Sequence, residues 1–356
     1  MVFDYLEGGA DNELGVHRNR SAFEELELLP SRLVDVTVRD TSVTLFQRSL
    51  PAPILIAPTG LNSVFWPSGD AALARAAATA GVPFVLSTAS CMSIEQVAAV
   101  ASGDLWFQLY VVHHELAAAL VKRARSAGYS TLVLTVDVPV NGIRHRDLRN
   151  GFQVPFRPSL KAILDGISHP RWLRDYLKYG QPKLANFEAD GTTSTESQAA
   201  LLRREMDASF DWDDLRRLRD IWPGKLLIKG ILTGEDARRC VAYGADGIVV
   251  SNHGGRQLAD LPTPIKVLAD LRHSIPGSVA LLDGGIQRGA DIVKAVALGA
   301  SAVMIGRAAL YGLAHGGEAG VTEVLAMLKM EVDRTLALIG KPTISRLSGD
   351  DVSRYR

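Results

Sequence analysis

The chain has 356 residues with 39 basic and 39 acidic side chains, a length that accommodates two average domains or one barrel. Zero net charge gives no sign of bulk nucleic-acid binding, and the two cysteines, Cys91 and Cys240, far apart among apolar neighbours, supply neither a disulfide framework nor a thiolate metal site. No basic leader followed by an apolar stretch opens the sequence, so a signal peptide is not expected, and the long uncharged stretches 49–69 and 76–94 are broken by Pro51, Pro53, Pro58, Pro67, Gly81 and Pro83, so core strands and loops in a reducing cytoplasm are expected rather than membrane spans.

Short apolar runs alternate with helical patterns. A first strand is expected over 53–57, ending at Pro58-Thr59-Gly60 and followed by a helix over 69–80. A second over 83–86 ends at Ser87-Thr88 and leads to a helix over 94–101. A third over 105–109 carries Gln108 and Tyr110 at its end, before a helix over 114–127, and a fourth over 131–136 ends at Asp137. Beyond a long connection come strands over 225–228, 247–250, 279–282 and 302–305, with helices over 234–243 and 289–298. Their ends carry Lys229-Gly230, the loop 251–257, Asp283-Gly284-Gly285 and Gly306-Arg307. Each run has the length and composition of a strand buried on both faces. Eight strand–helix units predict a closed parallel (β/α)8 TIM barrel, in which all eight strand ends meet on one face. Glycines and Arg307 after the last two strands suit a phosphate.

The connection 138–224 is far longer than an ordinary crossover, and such inserts are usually functional or mobile. Residues 157–183 hold six Lys or Arg against Asp165 and Asp175. Leu160, Ile163, Leu164 and Ile167 have helical spacing, and Trp172, Leu173, Tyr176 and Leu177 continue the apolar pattern past Pro170. This is the make-up of an interfacial membrane anchor, with a helix covering the barrel or an oligomer contact as the other reading. Residues 188–205 are polar, rich in Ser, Thr and Ala, and suit a disordered segment or a lid. The expected organisation is one domain over 1–356 with an insert over 152–205.

The loop Ser251-Asn252-His253-Gly254-Gly255-Arg256-Gln257 follows a buried strand and places an imidazole near a guanidinium, one able to take a proton, the other to clamp a carboxylate. With the motifs running from Asp4-Tyr5 to Gly306-Arg307, it resembles the FMN-dependent 2-hydroxy-acid dehydrogenase and oxidase family over nearly the whole chain. The resemblance implies His253 as the base at the substrate α-carbon and Asp137 as the carboxylate that orients it. It implies Arg144 and Arg256 as the carboxylate clamp, Tyr5 and Tyr110 as hydrogen-bond partners of the carboxylate and hydroxyl, and Lys229 beside the flavin. FMN would be lined by Pro58, Thr59, Gly60, Ser87, Gln108 and Thr135 at its ring, and by Ser251, Asp283, Gly284, Gly285, Gln287, Gly306 and Arg307 towards its phosphate. The family commonly has Arg where Gln287 stands, so one charged phosphate partner is missing.

Ala89 leaves room for an aromatic acid such as mandelate, and Gly60 resembles the dehydrogenase branch, which passes electrons to a membrane quinone instead of O2. The implied setting is a homotetramer, cytoplasmic or peripheral on the inner face of the cell membrane. A soluble hydroxy-acid or hydroxymandelate oxidase producing H2O2 is the alternative. No metal and no nucleic acid are expected: His113, His114, His145, His169 and His273 share no ligand spacing at a strand end.

Overall fold

The computed structural model describes residues 1–152, 160–187 and 206–354, the side chains of residues 160–162 excepted. Eight parallel strands close into a barrel: β1 (Ile54–Ile56), β2 (Phe84–Ser87), β3 (Leu105–Leu109), β4 (Thr131–Thr135), β5 (Lys225–Ile231), β6 (Gly247–Val250), β7 (Val279–Asp283) and β8 (Ala302–Ile305). Each neighbours the next in sequence, and β8 closes on β1 through Val303 opposite Ile54. The expected TIM barrel is therefore the observed fold. β5 runs three residues beyond its expected end because a bulge at Gly230 lets the ladder resume at Ile231. Gly230 has φ 106°, and a Cβ there would stand 2.6 Å from that of Asp137.

Among the described residues the helices are α1 (Val2–Glu7), α2 (Leu14–Glu24), α3 (Gly69–Ala80), α4 (Ile94–Val100), α5 (His114–Ser126), α6 (His145–Asn150), α7 (Leu160–Ser168), α8 (Pro170–Tyr179), α9 (Trp212–Ile221), α10 (Gly234–Ala242), α11 (Pro264–Ser274), α12 (Gly289–Ala297) and α13 (Arg307–Leu338).

The strand period of two sorts side chains into two shells. Outward residues such as Ile54, Phe84, Phe107, Leu132 and Ile248 pack under the helices. Inward residues Leu55, Val85, Trp106, Val133, Leu227, Val249 and Leu281 fill the barrel, plugged at its amino end by Leu45 and Leu50 of a short hairpin. Two residues further along six of these strands stand Ser87, Gln108, Thr135, Lys229, Ser251 and Asp283, all buried. A polar layer thus lies on the apolar one at the carboxyl ends.

The insert differs from its sequence pattern. The chain breaks at His169 and α8 starts afresh on Pro170, which suits a first helical turn. Trp172 and Tyr176, one turn apart, then face the barrel: their rings stack at 5.2 Å, and Trp172 Nε1 donates to the Val64 carbonyl at 2.9 Å. Ile163, Leu164, Ile167, Leu177 and Tyr179 remain exposed. The single apolar face is in fact two, one docked and one open. Arg157 and the polar stretch 188–205 lie outside the described residues.

Candidate active site

A cavity of about 840 Å³ opens at the carboxyl ends of the strands, a size typical of small-molecule and cofactor sites. His253 stands at one side of it with φ 58°, a left-handed conformation rare for a residue with a side chain. The turn continues through Gly254 and Gly255. A Cβ on Gly255 would come within 2.6 Å of the Val16 amide, so only glycine lets α2 pack against the loop.

This turn puts His253 Nδ1 2.9 Å from Asp137 Oδ1 and Nε2 3.2 Å from the Tyr110 hydroxyl. Burial alone would raise the Asp137 pKa, but His253 and then Lys229 hold it below the ordinary value. An ionised Asp137 offers no proton, so Nδ1 carries the imidazole hydrogen. In the neutral imidazole Nε2 then has its lone pair towards Tyr110 and the cavity. The second Asp137 oxygen is buried without a hydrogen-bond partner.

Below His253 the polar layer is continuous. Ser251 Oγ donates to Asp283 at 2.7 Å and accepts from Lys229 Nζ and the His253 amide, each at 3.0 Å. Lys229 Nζ lies 2.9 Å from Asp283 Oδ2. Burial works against this ammonium, yet Asp283, Asp137 and Tyr110 hold its pKa above the usual lysine value. A fixed positive charge therefore faces the cavity. Gln108 accepts from Ser87 Oγ at 3.1 Å and donates to Thr135 Oγ1 at 3.0 Å, tying three strands together.

Tyr5 on α1 is buried, its ring stacked on Phe152 with centroids 4.1 Å apart. The guanidinium carbons of Arg256 and Arg144 lie 5.1 and 5.8 Å from the same ring centre. Arg256 Nη1 donates to the carbonyls of Tyr5 (3.0 Å) and Gly8 (2.6 Å). Arg307 donates to those of Leu6, Gly254 and Gly8 at 3.0–3.1 Å. The two arginines strap the amino-terminal segment across the cavity.

Most residues singled out from sequence come together here. Tyr5, Pro58, Thr59, Gly60, Ser87, Ala89, Tyr110, Arg144, Lys229, His253, Arg256, Asp283, Gly284, Gly285, Gln287, Gly306 and Arg307 line the cavity. Asp137, Gln108, Thr135 and Ser251 stand behind its wall, supporting residues that do line it. Sequence reasoning missed Asp147 and Arg20, both on the wall, and Phe152 beneath Tyr5.

The model of the FMN-dependent dehydrogenase family matches residues 1–354. The chain belongs to that family. (S)-Mandelate dehydrogenase of Pseudomonas putida is 57% identical over 98% of this chain and 89% of its own. A putative L-lactate dehydrogenase of Mycobacterium tuberculosis (strain ATCC 25618 / H37Rv) is 43% identical over 100% of this chain and 86% of its own. Among solved structures, a crystal structure of (S)-mandelate dehydrogenase, described as a monotopic membrane protein, superposes with TM-score 0.96 at 56% identity, covering 99% of this chain and 94% of that one. A mandelate oxidase variant with (S)-mandelic acid gives TM-score 0.83 at 36% identity, over 99% and 92% of the two chains. As a member of the family, the chain is an enzyme, an FMN-dependent 2-hydroxy-acid dehydrogenase, and FMN is its cofactor.

The wall residues fit that cofactor. A buried polar layer, a paired lysine that remains cationic and a glycine at 60, where a Cβ would stand 3.0 Å from that of Ala89, suit a flat polar ring. The glycines at 284, 285 and 306 and Arg307 suit a phosphate. Gln287 lines that end without charge, and its backbone amide is already given to Asp291 at 3.1 Å.

Proposed function

We propose that the enzyme oxidises an (S)-2-hydroxy acid, preferably (S)-mandelate, to the 2-keto acid, benzoylformate, and passes the electrons to a membrane quinone. The observation that carries this reading is His253 Nε2 on the same cavity wall as Arg144 and Arg256, backed by an ionised Asp137. Arg144 and Arg256 bind the carboxylate, where planar forks are suited to two oxygens. Tyr5 and Tyr110 hold carboxylate and hydroxyl. His253 takes the α-carbon proton, and Asp137 stabilises the imidazolium. FMN, when bound, supplies the two-electron acceptor. Lys229 stabilises negative charge developing beside it, and Pro58, Thr59, Gly60, Ser87, Gln108, Thr135, Ser251, Asp283, Gly284, Gly285, Gln287, Gly306 and Arg307 hold its ring and phosphate. Ala89, with Phe65, Val138, Leu184 and Met206, leaves an apolar space suited to an aromatic ring. The organisation proposed is one barrel domain over 1–356 with 152–205 as its insert, assembled as a homotetramer.

Anaerobic mixing of the purified yellow enzyme with (S)-mandelate should bleach the flavin, and a quinone should restore the colour faster than O2. Bleaching by mandelate with faster return in O2 would make the enzyme an oxidase instead. A colourless protein that takes up no FMN would remove the reading altogether.

The quinone reading includes peripheral attachment to the inner face of the cell membrane through α7 and α8. Their exposed Ile163, Leu164, Ile167, Leu177 and Tyr179 alternate with Arg171, Arg174 and Lys178, and basic side chains near an anionic surface contribute about 1 kcal/mol each. Among the described residues no helix is long and apolar enough to cross a membrane. The protein should sediment with anionic vesicles at low salt and lose that binding when 157–183 is replaced by a short neutral loop. Equal sedimentation of both forms would make the insert a lid or subunit contact.

A further inference from the structure

Asp147 has no part in the reading above, yet it lines the same cavity. It sits in the first turn of α6, three residues after Arg144. Its Oδ2 lies 3.2 Å from Arg144 Nε, while Oδ1 is buried with no hydrogen-bond partner. A buried carboxylate oxygen that accepts nothing is costly, and a proton would relieve it.

The charged side chains facing Asp147 come from four parts of the chain. Arg144 and Arg146 share its segment, Asp4 and Glu13 approach from α1 and from the turn before α2, and Arg256 comes from the loop after β6. Arg146 pairs with both Glu13 and Asp4, the latter at 3.6 Å. Three guanidiniums therefore face three carboxylates. A substrate carboxylate brought to Arg144 and Arg256 is a fourth negative charge.

We infer that Asp147 is the positioning residue of the carboxylate clamp: one oxygen holds Arg144, and the other takes a proton from solvent when the substrate's carboxylate arrives. The inference rests on the proposed role of Arg144 and Arg256 and adds a coupled proton to it. Burial already pushes the Asp147 carboxyl up to about 6, Arg256 and Arg146 opposing the rise and Asp4 and Glu13 adding to it. The ligand's charge raises it further. Below about pH 6 Asp147 is already neutral and binding is at its tightest. Above that, binding must draw in a proton, so affinity falls as pH rises until the pKa of the complex is passed.

The test is binding of phenylacetate, an aryl carboxylate with no hydroxyl to oxidise, to the oxidised FMN enzyme. Flavin absorbance follows affinity, and calorimetry in buffers of different ionisation heat counts protons. The comparison is made between His253→Gln and His253→Gln/Asp147→Asn, so that the imidazole takes no part in the proton count. The single variant should lose about tenfold in affinity from about pH 6 to about pH 8, the size expected of two strongly interacting carboxylates, and should take up a proton on binding. The double variant should show neither. No uptake in the single variant, or equal uptake in both, overturns the inference while leaving the clamp intact. If phenylacetate binds at no pH and (S)-mandelate leaves the flavin of the unsubstituted enzyme oxidised, the clamp itself falls, and the inference with it.

Discussion

Replacing His253 with Gln should slow flavin reduction by (S)-mandelate by about 100- to 10,000-fold, the usual contribution of a positioned base. Gln fills similar space and can still hydrogen-bond Tyr110, but it cannot accept a proton at Nε2. The loss should fall on the reduction step followed by anaerobic rapid mixing, with phenylacetate still bound to within a few-fold. The geometry explains the separation: His253 faces Tyr110 and Asp137, whereas Arg144 and Arg256 lie over the Tyr5 ring. Reduction at near-normal speed would mean that another group removes the α-carbon proton.

Arg256→Met should behave differently, losing about 30- to 1,000-fold in kcat/KM with both parameters affected, as expected when one partner of a desolvated charged hydrogen bond is removed. Two effects combine. The substrate carboxylate loses a guanidinium, and the carbonyls of Tyr5 and Gly8 lose the Nη1 that holds them. A neutral substrate tells them apart: the methyl ester of mandelate has no carboxylate to clamp, so its loss measures the strap alone and should be the smaller. Equal losses for acid and ester would leave Arg256 with a purely structural role.

The barrel was legible because parallel strands buried on both faces are continuous apolar runs, and the polar residues that end them are the site. Ser87, Gln108, Lys229 and Asp283 each follow an inward apolar residue by two positions, so strand periodicity carries them into one layer. Asp147 was not legible: an Arg and an Asp three apart on a short helix have the pattern of an ordinary surface pair, and its burial comes from α1 and α6 meeting across the chain. The straps from Arg256 and Arg307 escaped for another reason. Their acceptors are backbone carbonyls, which have no signature in sequence. The insert's helices were visible, but not the division within α8 between Trp172 and Tyr176 on the barrel and Leu177 and Tyr179 on the open face.

The ladder between β8 and β1 governs when the enzyme can come into being. Ile54 has no closing partner until Val303 has been made, and Leu26 waits for Arg354. A nascent chain emerging amino end first therefore carries its early strands unclosed until residue 303 has been made. Lys229 is made before its counter-ion Asp283, and the glycines and Arg307 at the phosphate end come later still. Such distant pairings make for slow folding with aggregation-prone intermediates. The cofactor's site is thus completed only by the last strands of the barrel to be made.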